Sequence, residues 1–151
     1  MDNKILSAII VIIVIIISSL YGGHIADSND TGNITGNSTV SVMEEGQYTS
    51  MEDVSAYIKK YHKLPSNYIT KEEARDLGWT GGSLEPYAPG KSIGGDVFTN
   101  RQGILPRSDK KYIECDIDAN NTSRGAKRIV YSTDDYRVYY TEDHYNTFTE
   151  V

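Results

Sequence analysis

A chain of 151 residues with a formal net charge of -6 holds one modest domain and is not a protein that grips a long nucleic-acid footprint through bulk positive charge. From Tyr48 onward 14 Lys and Arg stand against 16 Asp and Glu, so any nucleic-acid chemistry must come from a local cluster of cations. The lone cysteine, Cys115, excludes an intramolecular disulfide, and the fold must rest on its apolar core.

Residues 1–26 begin with a short polar start carrying Lys4, followed by an aliphatic run from Ile5 to Ile17 broken only by Ser7 and Ala8. Thirteen such residues suit the core of a signal peptide, and extension through Tyr21 gives seventeen, the lower limit for a membrane span. Neither Leu20-Tyr21-Gly22 nor His24-Ile25-Ala26 is a good small-x-small cleavage site, so a cleaved signal and a retained anchor both fit. Ile and Val on every helical face leave no polar side, which argues against a helix of the domain itself. Residues 27–47 are rich in Asn, Ser, Thr, Gly and acid and read as a disordered linker. Asn29, Asn33 and Asn37 begin glycosylation sequons in it, and two more overlap at Asn120 and Asn121.

Residues 48–151 read as the folded domain. Ser50 and Asp53 form a capping pair ahead of Val54, Tyr57, Ile58 and Tyr61, which fall on one helical face. His62 and Lys63 end that helix before Pro65, where a cation favours the helix dipole. Thr70 with Glu73, then Ala74, Leu77 and Gly78, predicts a second short helix. Trp79 to Gly95 is rich in Gly and Pro and reads as loop with room for one more helical turn. In the second half Ile113, Cys115 and Ile117 alternate with Tyr112, Glu114 and Asp116. Residues 128–132 and 136–141 predict two further strands around a turn at Thr133-Asp134-Asp135, and residues 145–149 a last one. Helices first and strands after predict an α+β domain, N-terminal helices packed on a C-terminal antiparallel sheet.

Candidate chemistry is sparse. His62 already has a structural place, and His144 sits in the polar turn Thr141-Glu142-Asp143-His144-Tyr145, where a lone histidine is more often simply solvated. Glu114 lies on the polar face of a strand whose other face is core. Arg124 and Arg128, four apart, either converge on one anion or flank it. The histidines and cysteine show no metal-ligand spacing. Gly90-Lys91-Ser92 is like the end of a phosphate-cradling loop, but Glu85 occupies the place of its first glycine. No elbow motif presents a serine nucleophile.

Longer blocks are more specific. Tyr61-His62-Lys63-Leu64-Pro65, Asn67-Tyr68-Ile69-Thr70-Lys71, Gly78-Trp79, the run from Ala88 to Asp96, Phe98, Asn100-Arg101, Gly103, Leu105-Pro106, Arg128-Ile129 and Asp143-His144-Tyr145 occur in this order. Together they closely resemble the barnase/binase family of microbial guanyl-specific ribonucleases. The resemblance spans roughly Val54 to Thr149 and implies the microbial ribonuclease fold.

It also implies an endoribonuclease that uses neither metal nor cofactor: the ribose 2′-oxygen attacks the adjacent phosphorus, and the resulting 2′,3′-cyclic phosphate is then hydrolysed. Glu114 matches the general base and His144 the general acid. Lys71, Arg124 and Arg128 match the cations that stabilise charge on the phosphoryl oxygens. The segment Phe98 to Gln102 corresponds to the family's base-recognition segment, with Asn100 and Arg101 matching, and Tyr145 matches a residue lining the site. Gln102 departs from the family, which usually has Glu there. A carboxylate accepts from both guanine N1–H and N2–H, whereas a Gln amide accepts from one and opposes the other, so a weaker guanine preference is expected. The loop after Trp79 is about two residues shorter than in the family, and the acidic balance weakens long-range steering of RNA. Expected partners are RNA, a barstar-like inhibitor protein, and the membrane only through an uncleaved N-terminal segment. The expected state is a monomer, secreted or tethered outside the cell. The competing reading, a noncatalytic RNA-binding or surface interaction module that keeps the fold, would be marked by loss of Glu114 or His144, and both are present.

Overall fold

In the computed structural model the described residues are 40–109, 111–119 and 123–151. The apolar segment 5–21 and the sequons at Asn29, Asn33, Asn37, Asn120 and Asn121 lie outside them. Helix α1, Met51–Tyr61, starts where Ser50 Oγ accepts the Asp53 amide at 3.2 Å and ends where His62 turns left-handed at φ 60 and its amide bonds the Ile58 carbonyl. Glu52 and Asp53 at its start and Lys59 and Lys60 at its end complement the helix dipole. The His62 ring stacks on Tyr136 with centroids 3.9 Å apart, so this histidine is part of the scaffold.

The linker expected over residues 27–47 does not extend through its described end. Val42 is only 2% exposed, and its carbonyl accepts from Lys60 Nζ at 2.8 Å and the Tyr61 hydroxyl at 3.2 Å. Tyr57 donates to the Glu44 carbonyl at 2.7 Å. The folded part therefore begins ahead of Tyr48, as a strap along α1. Val42 is the one buried apolar residue in Val40-Ser41-Val42-Met43, where Val40 and Met43 are exposed, and a single buried position carries no periodicity, so the strap does not show in the pattern.

Helix α2, Lys71–Asp76, follows a complete capping box between Thr70 and Glu73. Six strands then form one sheet in sequential order: β1 Tyr68–Ile69, β2 Ser92–Phe98, β3 Tyr112–Asp116, β4 Arg128–Ser132, β5 Val138–Thr141 and β6 Thr149–Glu150. All pairings are antiparallel except β1 with β2, which gives the expected α+β class. Val54 and Ile58 of α1 pack with Cys115, Ile117, Ile129, Tyr131 and Val138 on one side of the sheet. On the opposite side Leu105, Tyr112, Val130 and Tyr139 form a second cluster, flanked by Phe98, Tyr145 and Phe148. Trp79 anchors a third with Ala74, Leu84, Ala88 and Ile93.

Three expected boundaries move. The loop from Trp79 stops at Lys91, because β2 runs through Gly94 and Gly95. A Cβ at Gly94 would lie 2.6 Å from Cys115 Cβ and from a Tyr68 ring carbon; glycine here admits neighbouring strands instead of marking a loop. The strand expected from Tyr136 begins at Val138, since Tyr136 is left-handed at φ 56. The last strand, expected over 145–149, shrinks to Thr149–Glu150, because His144 and Tyr145 have φ 57 and 74.

Candidate active site

Alternation along β3 sends Cys115 into the α1 core and turns Glu114 and Asp116 to the opposite face. Register decides their neighbours. Glu114 lies opposite Asp96 of β2 and Val130 of β4, and Asp116 lies opposite Arg128, which in turn faces Thr141 of β5. Two rows of the sheet thus carry the charged side chains.

Glu114 is held from two elements. Its Oε1 pairs with Lys71 Nζ, and its Oε2 accepts from the Tyr145 hydroxyl at 2.8 Å. Lys71 opens α2, and its backbone amide donates to Asp96 Oδ2 at 2.9 Å, which ties the helix start to the sheet beside Glu114. Burial, then the nearby Glu114 charge, pushes the Tyr145 phenol far above its ordinary value, so Tyr145 stays a donor to the carboxylate.

The anion on which Arg124 and Arg128 converge is the protein's own. Arg124 donates to both Asp116 oxygens, at 2.6 and 2.8 Å. Arg128 Nε lies 3.0 Å from Asp116 Oδ1, close enough for an ion pair but not aligned for a hydrogen bond. Its Nη1 donates to the carbonyls of Lys127 and Gly125 at 2.7 and 3.2 Å. Arg124 also packs 5.4 Å from the Trp79 ring. Asp116 is 2% exposed, so the cluster is a buried carboxylate with two guanidinium groups around it.

His144 is placed by a turn built on Asp143. The Asp143 carboxylate accepts from the Thr141 hydroxyl, the Asn146 and Thr147 amides and the Thr147 hydroxyl, at 2.7 to 3.1 Å. The Thr141 hydroxyl also accepts the Tyr145 amide at 3.1 Å. Exposed at the tip, the imidazole sits 4.9 Å from the Tyr145 ring between centroids. A cavity of about 340 Å³ is lined by Phe98, Asn100, Arg101, Gln102, His144 and Tyr145, among others. Tyr145 is therefore common to the imidazole, the cavity and Glu114. Phe98 stacks on Tyr145 at 5.2 Å. The Asn100 amide does not face a ligand: its Nδ2 donates to the Leu105 carbonyl at 2.9 Å and its Oδ1 accepts the Leu105 amide at 3.1 Å, closing the loop that carries Arg101 and Gln102.

Bonds from Thr147 above all, then Thr141 and Asn146, hold the Asp143 carboxyl down at about 2. A folded value below the unfolded one, about 3.9, means the turn is fully stabilised above the unfolded value and loses that contribution as pH falls toward the folded one. Amide protection factors across residues 143–147, taken against the intrinsic exchange rates, are expected to fall between about pH 4 and 2. In Asp143→Asn protection should already be low at neutral pH and lack this acid dependence; an unchanged protection profile in the variant would contradict this.

All five expected catalytic side chains border this face, held by Asp116, Asp96 and Asp143, whose roles depend on contacts that local sequence pattern does not show. Asp116 carried the one available signal, a shared face with Glu114. The Gly90-Lys91-Ser92 motif is internally occupied: Glu85 accepts the Gly90 amide at 3.1 Å and Lys91 Nζ bonds the Ser66 carbonyl at 2.8 Å. Burial pushes the Cys115 thiol up, which leaves it no ready nucleophile. Among the described residues no group of three or more His, Cys, Asp or Glu side chains is placed to hold a metal ion.

A carboxylate and an imidazole joined through one tyrosine, beside a lysine and two arginines on an antiparallel sheet, place the chain in the α+β class of microbial ribonucleases. A protein-family model described as ribonuclease matches residues 51–151, and the chain belongs to that family. It is 44% identical over 127 residues to a ribonuclease of Bacillus intermedius, covering 82% of this chain and 76% of the relative. A ribonuclease of Heyndrickxia coagulans is 48% identical over 105 residues, 68% of this chain and 95% of the relative. Guanyl-specific ribonuclease Sa3 of Kitasatospora aureofaciens is 37% identical over 93 residues, 60% of each.

Proposed function

We propose that the chain is a metal-independent endoribonuclease that cleaves single-stranded RNA in two steps. Glu114 removes the proton of the ribose 2′-hydroxyl; the 2′-oxygen forms a bond to phosphorus as the bond to the 5′-oxygen breaks, and protonated His144 gives that oxygen its proton. Water then opens the 2′,3′-cyclic phosphate with the roles reversed, leaving a 3′-phosphate. Each proton transfer is worth about 10²–10⁴-fold. Lys71, Arg124 and Arg128 neutralise charge on the phosphoryl oxygens, a preorganised term often larger than either. The need for a 2′-hydroxyl excludes DNA as a substrate. The observation that carries the reading is Tyr145, which bonds Glu114 and lies against His144 at the wall of one cavity. The full-length protein should degrade RNA in excess EDTA, and Glu114→Ala and His144→Ala should each do so at least about 10²-fold more slowly; a requirement for added divalent metal, or unimpaired activity in both variants, would refute it.

The base bound in the cavity is guanine, with a preference loosened by Gln102. The guanyl specificity in the name of the Kitasatospora relative supports the base. Hydrogen bonds to a charged acceptor contribute about 1.5–3 kcal/mol against about 0.5–1.5 for a neutral one. Gln102→Glu should therefore raise the ratio of GpN to ApN cleavage about tenfold; an unchanged ratio would remove Gln102 from base selection. The enzyme acts as a monomer outside the cell, exported by the segment around Ile5–Ile17. Recovery of the activity only from the cytoplasmic fraction would contradict that location.

A further inference from the structure

A second groove, about 410 Å³, adjoins the base cavity and is lined by Val97, Phe98, Thr99, Arg107, Lys111 and Tyr112, among others. Phe98, Thr99 and Asn100 line both cavities, so the base-recognition segment is a shared wall with a ligand space on either side. The groove contains neither His144 nor Glu114. It joins two exposed cations, Arg107 and Lys111, to an apolar surface at Val97, which is 51% exposed. Neither cation forms an ion pair with another described residue. The walls are fixed from inside the fold. The Tyr112 hydroxyl donates to the Pro106 carbonyl at 2.8 Å, next to Arg107, and the Lys111 carbonyl accepts the Thr133 amide and hydroxyl at 2.9 and 3.1 Å.

Unpaired cations beside an apolar and aromatic surface fit a nucleotide, phosphate on the cations and base against the rings. Polarity follows from the chemistry. The leaving nucleotide departs through the 5′-oxygen that His144 protonates, so it lies on the His144 side of the bound base. The chain on the other side of that base must exit away from His144, and this groove adjoins the base wall without it. We infer that the groove is a subsite for the nucleotide on the 5′ side of the recognised base, with Arg107 and Lys111 holding the phosphate that joins the two. The inference rests on the ribonuclease reading above, and it makes the enzyme prefer internal sites in an RNA chain over an isolated dinucleotide.

The test compares kcat/KM of the full-length protein on GpU and on dUpGpU, whose 2′-deoxy first residue leaves only the GpU bond cleavable. The 5′ extension should raise kcat/KM about tenfold in the unaltered protein, a modest return for one stacked base and one phosphate. Arg107→Ala with Lys111→Ala should abolish that gain, change GpU cleavage less than twofold, and lower the log–log salt slope on the longer substrate by roughly 0.7, the value of one single-strand phosphate contact. Equal rates on the two substrates, or a gain that survives in the double variant, would overturn the subsite while leaving the ribonuclease reading intact. Failure of the unaltered protein to cleave GpU at all would overturn both.

Discussion

Replacing His144 by alanine is expected to lower kcat/KM for GpU by roughly 10²–10⁴-fold, with the fold unchanged. The imidazole is exposed at the tip of a turn whose bonds are made by Asp143, Thr141 and Thr147, so its removal leaves no cavity and strands no partner. Thermal unfolding should therefore be close to that of the unaltered protein. Glu114→Ala should cost a similar factor in rate, with a larger effect on stability, because it leaves Lys71 Nζ and the Tyr145 hydroxyl without their acceptor. The pH profile separates the two roles. The unaltered enzyme should show a bell, rising as the base loses its proton and falling as the acid loses its own. The alkaline limb should vanish in His144→Ala and the acid limb in Glu114→Ala. A His144 variant that keeps both limbs would mean that another group protonates the leaving oxygen.

The second large effect is expected at Asp116, whose buried carboxylate oxygens are taken up by Arg124 and Arg128. Removing one partner of a buried, hydrogen-bonded charge cluster costs about 3–5 kcal/mol, a large share of the roughly 5–15 kcal/mol that holds a small domain together. Asp116→Asn keeps the shape and deletes the charge, leaving the bidentate Arg124 and the buried Arg128 mutually repulsive. It should lower the denaturant midpoint substantially. In the fraction that remains folded kcat should fall about 10²-fold, the scale of a catalytic group displaced by about an ångström, with little change in KM. This split identifies a positioning residue: loss of stability alone would reduce the amount of active enzyme and leave kcat per folded molecule untouched. Full kcat in the folded variant would show that the arginines do not depend on Asp116.

What could be read beforehand followed from local rules. The caps at Ser50 and Thr70 and the spacing of Val54, Tyr57 and Ile58 are properties of single turns, and both helices appear where these residues place them. Alternation in β3 assigned Glu114 and Asp116 to one face. Alternation says nothing of register, however, and it is register that sets Arg128 opposite Asp116 and turns a polar residue into the centre of a buried cluster. Gly94-Gly95 concealed β2 because glycine weakens a strand locally, while here close approach of Cys115 and Tyr68 requires it. The segment Tyr145-Asn146-Thr147-Phe148 offers two aromatics and a β-branched threonine to a strand, yet Asp143 gathers four donors and folds it into the turn that presents His144. In each case a long-range contact, or a side-chain bond to backbone, outweighed local preference.

The most direct measurement is phosphorus NMR of GpU turnover beside its 2′-deoxyguanosine counterpart. Guanosine 2′,3′-cyclic phosphate should accumulate first and then convert to the 3′-monophosphate, with the deoxy substrate left intact. Appearance of a monophosphate with no cyclic precursor, or cleavage of the deoxy substrate at a comparable rate, would contradict an attack by the ribose hydroxyl and with it the pairing of Glu114 and His144.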